Sequence, residues 1–433
     1  MAYVAVDAIE VWAWGLRVGA VALDPVSGYY AFEYEPTWRS RNIELAPTTM
    51  PTSARPFVFP ALPELTYRRL PAMLADALPD DFGNALIDAY LANQGVARSD
   101  ITPLDRLAYL ANRGMGALEF RPPRGPRHRI SSALQVAALV TSARGALAGS
   151  FDGDRETSAA LGQLIQVGTS AGGARAKAVV AYNAETEEVR SGQVPADPGF
   201  AHWLLKLDGI GNDRDLGTTQ NYGRIEYAYY LMARAAGINI SDSRLLMEGG
   251  RAHFMTRRFD RDHQGKMHVQ TLCAMAHLDF RQRATHDYVQ YFAVIDDLAL
   301  EPSARTEAFR RMAFNVAAAN CDDHTKNFGF LLAERGRWAL APAYDVTHAY
   351  NPRGDWTFQH LMSVNGRFAD ITTRDLLIVA DRYAVPKAKT TLREVLDAID
   401  SFSEFATQAQ LPAATAAELA RDITAMNPRT GLK

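Results

Sequence analysis

The sequence contains few cysteines and no long apolar run. Only two cysteines, Cys273 and Cys321, occur in 433 residues, which is too few for a disulfide framework. No stretch approaches the roughly 18 apolar residues that a membrane-spanning helix needs, and the chain does not open with a charged and then apolar leader. These absences predict a cytoplasmic chain with reduced thiols and no membrane contact. Cys321 is expected to be a buried small residue rather than a nucleophile.

A strong excess of charge is also missing. The formal net charge is −3, so any contact with DNA would need a local patch rather than the whole surface. Internal repeats and low-complexity tracts are absent as well. With 48% hydrophobic and 22% charged residues, the chain has the composition of a globular protein long enough for two or three domains.

Two periodic patterns organise the N-terminal part. Apolar residues alternate with period two in residues 9–14, 18–23 and 30–34, which predicts a β meander. The pattern becomes helical from Leu70 to Gln94. It is interrupted near Pro79, where the two acids that follow indicate the start of a second helix.

The segment from Arg121 to Arg129 is rich in proline and basic residues. This composition is typical of a solvated linker, and it is also compatible with contact to phosphates. An alanine-rich helix over about Ser131–Leu147 is predicted to follow it.

The most informative motif is Asp-Asp-His-Thr-Lys-Asn, which starts at Asp322 and ends five positions later at Asn327. Asp345 follows after a strand-turn-strand pattern. Phosphoryl transfer needs a carboxylate near the acceptor hydroxyl and oxygen ligands for magnesium, which this spacing can supply. The alternative is a charged turn that caps a helix. The apolar helical run before it (314–320) and the strand pattern after it (328–332) favour the phosphoryl-transfer interpretation.

Two further blocks agree with a nucleotide site. Residues 167–177 are rich in small residues and end at Lys177, so their backbone can approach phosphates closely, although a tight hairpin remains an alternative. Lys206 lies in an apolar strand pattern, where a lysine needs an anion unless it reaches water at a sheet edge. Glu226, on a helix predicted from about residue 220 to 236, is its candidate partner.

In these blocks the chain resembles the HipA toxins, the serine/threonine kinases of bacterial type II toxin-antitoxin modules. The resemblance runs through most of the chain. It is carried in order by Leu74–Asn84, Ser170–Lys177, the Lys206 strand, Arg258–Arg261, Asp322–Asn327 and Tyr344–Asp345.

The resemblance implies roles for individual residues. Asp322 would be the catalytic residue, and Asn327 and Asp345 would bind Mg²⁺. Ser170 would be autophosphorylated, and its phosphate would repel ATP and inactivate the enzyme. The implied ATP-binding residues are Gly172, Gly173, Ala174, Arg175, Ala176, Lys177, Lys206, Arg257, Arg258, Phe259, His324, Thr325, Lys326, Asn327, Tyr344 and Asp345.

The chain departs from many relatives at one place, because Arg257 stands where they have a glutamate before the Arg-Phe-Asp-Arg segment. The resemblance also implies partners. These are a HipB-like helix-turn-helix antitoxin, operator DNA reached through that antitoxin, and a protein substrate of the aminoacyl-tRNA synthetase class, typically the glutamyl enzyme.

The predicted fold class is α+β, a two-lobed protein-kinase-like fold with an N-terminal β-rich subdomain. The N-terminal subdomain is predicted over residues 1–150, the ATP-binding sheet lobe, expected to be a mixed sheet, over 151–255, and the helical catalytic lobe over 256–433. Two alternatives stay open. One is a non-catalytic corepressor that binds the antitoxin on operator DNA, and the other is a small-molecule or lipid kinase on the same kind of fold.

Overall fold

The computed structural model describes residues 3–125, 176–193, 196–209, 221–262 and 265–428. The predicted helix at Ser131–Leu147, the end of the basic segment and the predicted domain boundary at residue 150 lie outside the described residues. None of the described helices is both long and apolar enough to cross a lipid bilayer.

A four-stranded antiparallel sheet confirms the predicted N-terminal meander. Its strands lie in the order β3-β2-β1-β4. The alternation buries Ile9, Val11 and Ala13 completely, as expected for a sheet with one face on a core. The strands are β1 (Ala8–Ala13), β2 (Leu16–Leu23), β3 (Tyr30–Tyr34) and β4 (Leu118–Arg121).

The first residue of the predicted linker, Arg121, belongs to this sheet, so the linker prediction was wrong for that residue. Arg121 is the last residue of β4 and pairs with Glu10 of β1. Its guanidinium carbon lies 3.9 Å from the centre of the Trp12 ring. Arg121 extends the strand because Leu118 and Phe120 alternate into the core. This alternation keeps the backbone of residues 118–121 hydrogen-bonded to β1.

Helices occupy the chain between β3 and β4, and the predicted helix start near Pro79 is confirmed. Asp80 caps helix α4 by accepting the backbone N–H of Gly83 at 2.7 Å. The helices are α1 (Pro36–Arg39), α2 (Glu64–Tyr67), α3 (Ala72–Ala75), α4 (Asp81–Ala92) and α5 (Pro103–Leu110).

The next unit, the sheet lobe, is a five-stranded sheet with one long helix. A mixed sheet was predicted, but all four strand pairings are antiparallel, because hairpins form both edges and the central strand runs against both of its neighbours. The strand order is β6-β5-β7-β9-β8. The elements are β5 (Lys177–Asn183), β6 (Val189–Ser191), β7 (Phe200–Lys206), α6 (Tyr222–Ala235), β8 (Ser243–Glu248) and β9 (Arg251–Arg257).

The two faces of this sheet meet different neighbours. One face packs against Phe82 and Leu86 of α4, so the N-terminal region supplies part of its core. Helix α6 packs closely against β9, where a Cβ atom on Gly223 would lie 2.0 Å from the carbonyl oxygen of Ala252. Only glycine permits this approach.

The remaining residues form the helical lobe, as predicted. A large core joins α6 to its helices, and Tyr229 of α6 donates a hydrogen bond of 2.5 Å to the carbonyl of Ala318. The helices are α7 (Leu272–Met275), α8 (Tyr288–Asp297), α9 (Ser303–Ala317), α10 (Thr373–Arg382), α11 (Ala388–Asp400), α12 (Phe402–Gln408) and α13 (Ala413–Met426).

Small strand groups support this lobe. A hairpin is formed by β10 (Arg261–Asp262) and β11 (Gly265–Lys266). A three-stranded antiparallel sheet has the order β12-β14-β15, with β12 (His268–Thr271), β14 (Gly329–Leu332) and β15 (Trp338–Leu340). A short parallel pair joins β13 (His286–Asp287) to β16 (Met362–Ser363).

The N-terminal region and the helical lobe share a core. Cys273, Ala274 and Leu332 pack among the buried residues of the first sheet. Polar contacts reinforce this packing, since the hydroxyl of Tyr67 donates to the carbonyl of Cys273 at 3.0 Å. Both cysteines are buried, which confirms the predicted burial of Cys321.

Asp260 is the centre of an ion-pair cluster that contacts the N-terminal region through the loop around Gly116. Asp260 is completely buried. Its Oδ2 lies 2.7 Å from Nη2 of Arg258 and 2.6 Å from Nη1 of Arg261. It also accepts the backbone N–H of Gly116 at 2.7 Å. Burial would raise the pKa of Asp260, but the two guanidinium groups outweigh it and hold this pKa well below its usual value.

We predict that Asp260→Ala destabilises the protein by about 3–5 kcal/mol, because the buried Arg258 and the partly buried Arg261 lose their counter-charge. Urea unfolding measures the effect. The control is Asp262→Ala, which removes an exposed carboxylate in the adjacent hairpin and should cost less than about 1 kcal/mol. Equal losses in the two variants would contradict the assignment.

Candidate functional site

A largely buried lysine, with 13% of its side chain exposed, joins three separate parts of the chain. Lys206 ends β7, and its Nζ lies 2.5 Å from Oε1 of Glu226 on α6, which confirms the predicted pairing. It also forms an ion pair with Asp345, in the loop that follows β15. The geometry therefore brings a strand, a helix and a loop of the helical lobe to one point.

The charges in this cluster stabilise one another. Burial would lower the pKa of Lys206, but Asp345 and Glu226 outweigh it and raise this pKa above its usual value. Burial would likewise raise the pKa of Asp345, but Lys206 and Lys177 outweigh it and lower this pKa. Asp345 has a φ of 52°, a conformation that is uncommon outside glycine and often occurs at functional sites.

The loop that carries the Asp322 motif lies at the end of helix α9. The helix ends at Ala317, three residues before the predicted end, because Ala319 adopts a positive φ of 54°. A 3-10 turn at Thr325–Asn327 then leads into β14. The side-chain amide of Asn327 donates to the carbonyl of Asp322 at 2.7 Å, which folds the loop back on itself.

The carboxylate of Asp322 is held from outside the loop. Oδ1 accepts the indole N–H of Trp356 at 2.8 Å. Burial raises the pKa of Asp322, and this effect is opposed by His324 and by the bond from Trp356. Sequence reasoning missed Trp356, because no pattern in its neighbourhood indicates which acid an indole will contact.

Aromatic rings surround the predicted nucleotide residues of this loop. The Nζ of Lys326 lies 4.9 Å from the centre of the Phe280 ring, and the His324 ring lies 5.3 Å from it. Tyr344 donates to the carbonyl of Lys326 at 2.7 Å. Thr325 is completely buried, and its hydroxyl donates a hydrogen bond of 2.7 Å to the carbonyl of Leu278.

The predicted ATP-binding residues at the end of β9 and just after it, residues 257–259, have surroundings that differ from one another. The Arg258 side chain is buried against Asp260, and Arg257 is exposed at the end of β9. The backbone N–H of Arg258 donates to the carbonyl of His202 at 2.9 Å. Phe259 packs against Tyr344 with ring centres 5.6 Å apart, so this residue links the segment to the Asp345 loop.

The predicted phosphate loop is described only at its end. Ser170 and Gly172–Arg175 lie outside the described residues. Ala176 is completely buried, and the Nζ of Lys177 lies 3.1 Å from Oδ2 of Asp80. Asp80 caps α4, so the N-terminal region reaches the strand that carries the end of the predicted loop. The pair of acids at 80–81 indicated a helix start, but the sequence did not indicate this ion pair.

Family models match both parts of the chain. The model described as HipA N-terminal domain matches residues 9–121, and the model described as HipA-like C-terminal domain matches residues 169–427. The second match alone spans more than half of the chain.

Two individual proteins are similar to this chain. A protein of Sinorhizobium fredii named "Putative kinase Y4dM" is 27% identical over 169 residues, which cover 35% of this chain and 39% of that protein. The match therefore spans about two fifths of the relative. The HipA chain of a toxin-antitoxin complex from Shewanella oneidensis MR-1, solved with HipB and operator DNA, superimposes with a TM-score of 0.67 at 16% identity and covers 96% of both chains. This likeness confirms the predicted fold class.

We predict that Lys206→Met destabilises the protein by about 3–5 kcal/mol at neutral pH, because Glu226 and Asp345 lose the buried charge between them. The exposed Lys389→Met is the matched control and should change stability by less than about 0.5 kcal/mol.

The pH dependence provides a second check. The lowered pKa of Asp345 adds stability to the wild type above the ordinary aspartate range, and this contribution is lost as the pH falls through the folded-state value. The difference in urea stability between wild type and Lys206→Met should therefore shrink below about pH 4. A difference that stays constant with pH would contradict the charge argument.

Proposed function

Because the chain belongs to the HipA family, we propose that it is a serine/threonine protein kinase that transfers the γ-phosphoryl group of ATP to a protein hydroxyl. The observation that carries the proposal is the Lys206, Glu226 and Asp345 cluster next to the loop of Asp322 and Asn327. A lysine paired with a helix glutamate and a nearby aspartate is the arrangement that a kinase uses to hold the phosphates of ATP.

In this proposal each residue of the cluster has a defined task. Lys206 contacts the α and β phosphates, and Glu226 holds the lysine in place. Asp322 accepts and orients the hydroxyl of the acceptor side chain. The hydroxyl oxygen forms a bond to the γ phosphorus, the bond from this phosphorus to the bridging oxygen breaks, and ADP leaves with that electron pair. The hydroxyl proton passes to the carboxylate.

The donor set of the loop suits Mg²⁺. Asn327 offers an amide oxygen, because its nitrogen already donates to Asp322, and Asp345 has a second carboxylate oxygen besides the one that meets Lys206. Hard oxygen ligands from one or two side chains are what magnesium takes from a protein, with phosphates and water completing the shell. When bound, magnesium would neutralise charge on the transferring group. Asn327 and Asp345 would hold it.

The nucleotide would lie between the two lobes. Tyr344, Phe259 and the backbone of Arg257 and Arg258 form the side that meets the adenine. Within the catalytic loop, His324, Thr325 and Lys326 shape the side that faces the phosphates.

The small-residue loop would cover the phosphates. It would contact them through Gly172, Gly173, Ala174 and Arg175, while the buried Ala176 and Lys177 hold the end of the loop, and Ser170 in the same loop would be the autophosphorylation site. Its phosphate would add about two negative charges beside those of ATP and so inactivate the enzyme.

Family membership also suggests the biological setting. The Shewanella protein was solved with HipB and operator DNA. We accordingly propose that this chain binds a HipB-like antitoxin in the cytoplasm and reaches operator DNA through it. The proposed protein substrate is an aminoacyl-tRNA synthetase, typically the glutamyl enzyme, whose loss would slow translation and growth. The proposed subdomain boundaries stay near residues 150 and 255.

We predict that the dephosphorylated full chain gains one phosphate when it is incubated with ATP and Mg²⁺. Intact mass spectrometry measures the gain. Asp322→Ala should gain none because the acceptor hydroxyl loses its base, and Ser170→Ala should gain none because the acceptor itself is absent. Removing magnesium with a chelator should also abolish the gain.

The control is Asp381→Ala, which removes an exposed carboxylate from α10 and should be phosphorylated like the wild type. If the wild type gains no mass and calorimetry detects no ATP binding, the kinase proposal fails and the corepressor interpretation takes its place.

A further inference from the structure

Asp322 and Asp323 are held by one segment from elsewhere in the helical lobe. This anchor segment, residues 356–362, begins with Trp356, whose indole N–H donates to Oδ1 of Asp322 at 2.8 Å. Four residues later, Nδ1 of His360 lies 3.0 Å from Oδ2 of Asp323. The anchor segment therefore binds both neighbouring carboxylates through different side chains.

The contacts of Asp323 fix the anchor segment in place. Asp323 is completely buried. Its Oδ1 accepts the backbone N–H of Leu361 at 2.8 Å, and its Oδ2 accepts the hydroxyl of Tyr288 at 2.8 Å. A buried carboxylate with this many donors is rigidly placed. Asp323 thus holds His360 and Leu361, which follow Trp356 in the anchor segment. The indole of Trp356 therefore has a defined position relative to Asp322.

The other charged groups near Asp322 do not fix its orientation. The nearest nitrogen of His324, Nε2, lies 3.9 Å from Oδ1, which is beyond hydrogen-bond distance. The carboxylates of Asp345 and Asp323 act on Asp322 as like charges and repel it. Among the described residues, Trp356 is the side chain that donates a hydrogen bond to this carboxylate.

We infer that Trp356 is a positioning residue for the proposed phosphoryl transfer, because its N–H holds Oδ1 of Asp322 and leaves Oδ2 to accept the proton of the acceptor hydroxyl. The inference rests on the proposed kinase function. In that step the acceptor oxygen binds the γ phosphorus, the bond to the bridging oxygen breaks toward ADP, and the hydroxyl proton moves to Oδ2. A carboxylate that rotates freely would be in the productive orientation only part of the time.

The test measures self-phosphorylation of the dephosphorylated full chain as a function of ATP concentration, by intact mass over time. Trp356→Phe keeps an aromatic ring and removes the N–H. We expect its maximal rate to fall about tenfold, while the ATP concentration at half-maximal rate and the thermal midpoint stay close to wild type. A general loss of structure would change all three quantities.

The matched control is Trp12→Phe. Trp12 lies in β1 of the N-terminal sheet, and its indole N–H also donates to a carboxylate, Oε2 of Glu10, at 3.1 Å. This variant loses the same kind of hydrogen bond far along the chain from the catalytic loop. Its maximal rate should equal that of the wild type.

A double-mutant comparison separates positioning from other roles. In an Asp322→Ala background, adding Trp356→Phe should leave the ATP affinity measured by calorimetry and the thermal midpoint unchanged, because the indole acts only through the carboxylate. An active wild type with an unchanged Trp356→Phe rate, or a weaker ATP affinity when Trp356→Phe is added to Asp322→Ala, would overturn the inference. A wild type that transfers no phosphate would instead overturn the proposed function, so the two failures are distinct.

Discussion

The structure depends most on the burial of one positive charge between two negative ones. Lys206, Glu226 and Asp345 come from a strand, a helix and a loop, and none of them would tolerate this environment alone. The cluster therefore fixes the distance between the sheet lobe and the helical lobe.

The N-terminal region makes contacts next to the same cluster. Asp80 caps helix α4 and also pairs with Lys177, which lies opposite Lys206 in the pairing of β5 with β7. Asp260 connects the loop around Gly116 to the segment after β9. These contacts, together with the shared core, join the region to both the sheet lobe and the helical lobe.

The loop of Asp322 shows how two adjacent acids acquire different surroundings. Asp323 is turned into the core, where the donors around it satisfy its charge. Asp322 is partly exposed and is held through Trp356 alone among the donors described above. In the proposed function, Asp323 would anchor the loop and Asp322 would take part in the chemistry. A loop with one acid would have to combine both tasks.

The sequence alone determined the elements and much of the candidate site. Period-two alternation identified the meander, an isolated lysine in an apolar strand identified Lys206, and the spacing of Asp322, Asn327 and Asp345 indicated phosphoryl transfer. Only the tertiary structure decided the pairings of Lys206 with Asp345, Lys177 with Asp80, and Trp356 with Asp322. It also decided that the sheet is antiparallel and that Arg121 belongs to a strand. Periodicity and capping act over a few residues, whereas these contacts depend on strand order and packing between distant segments.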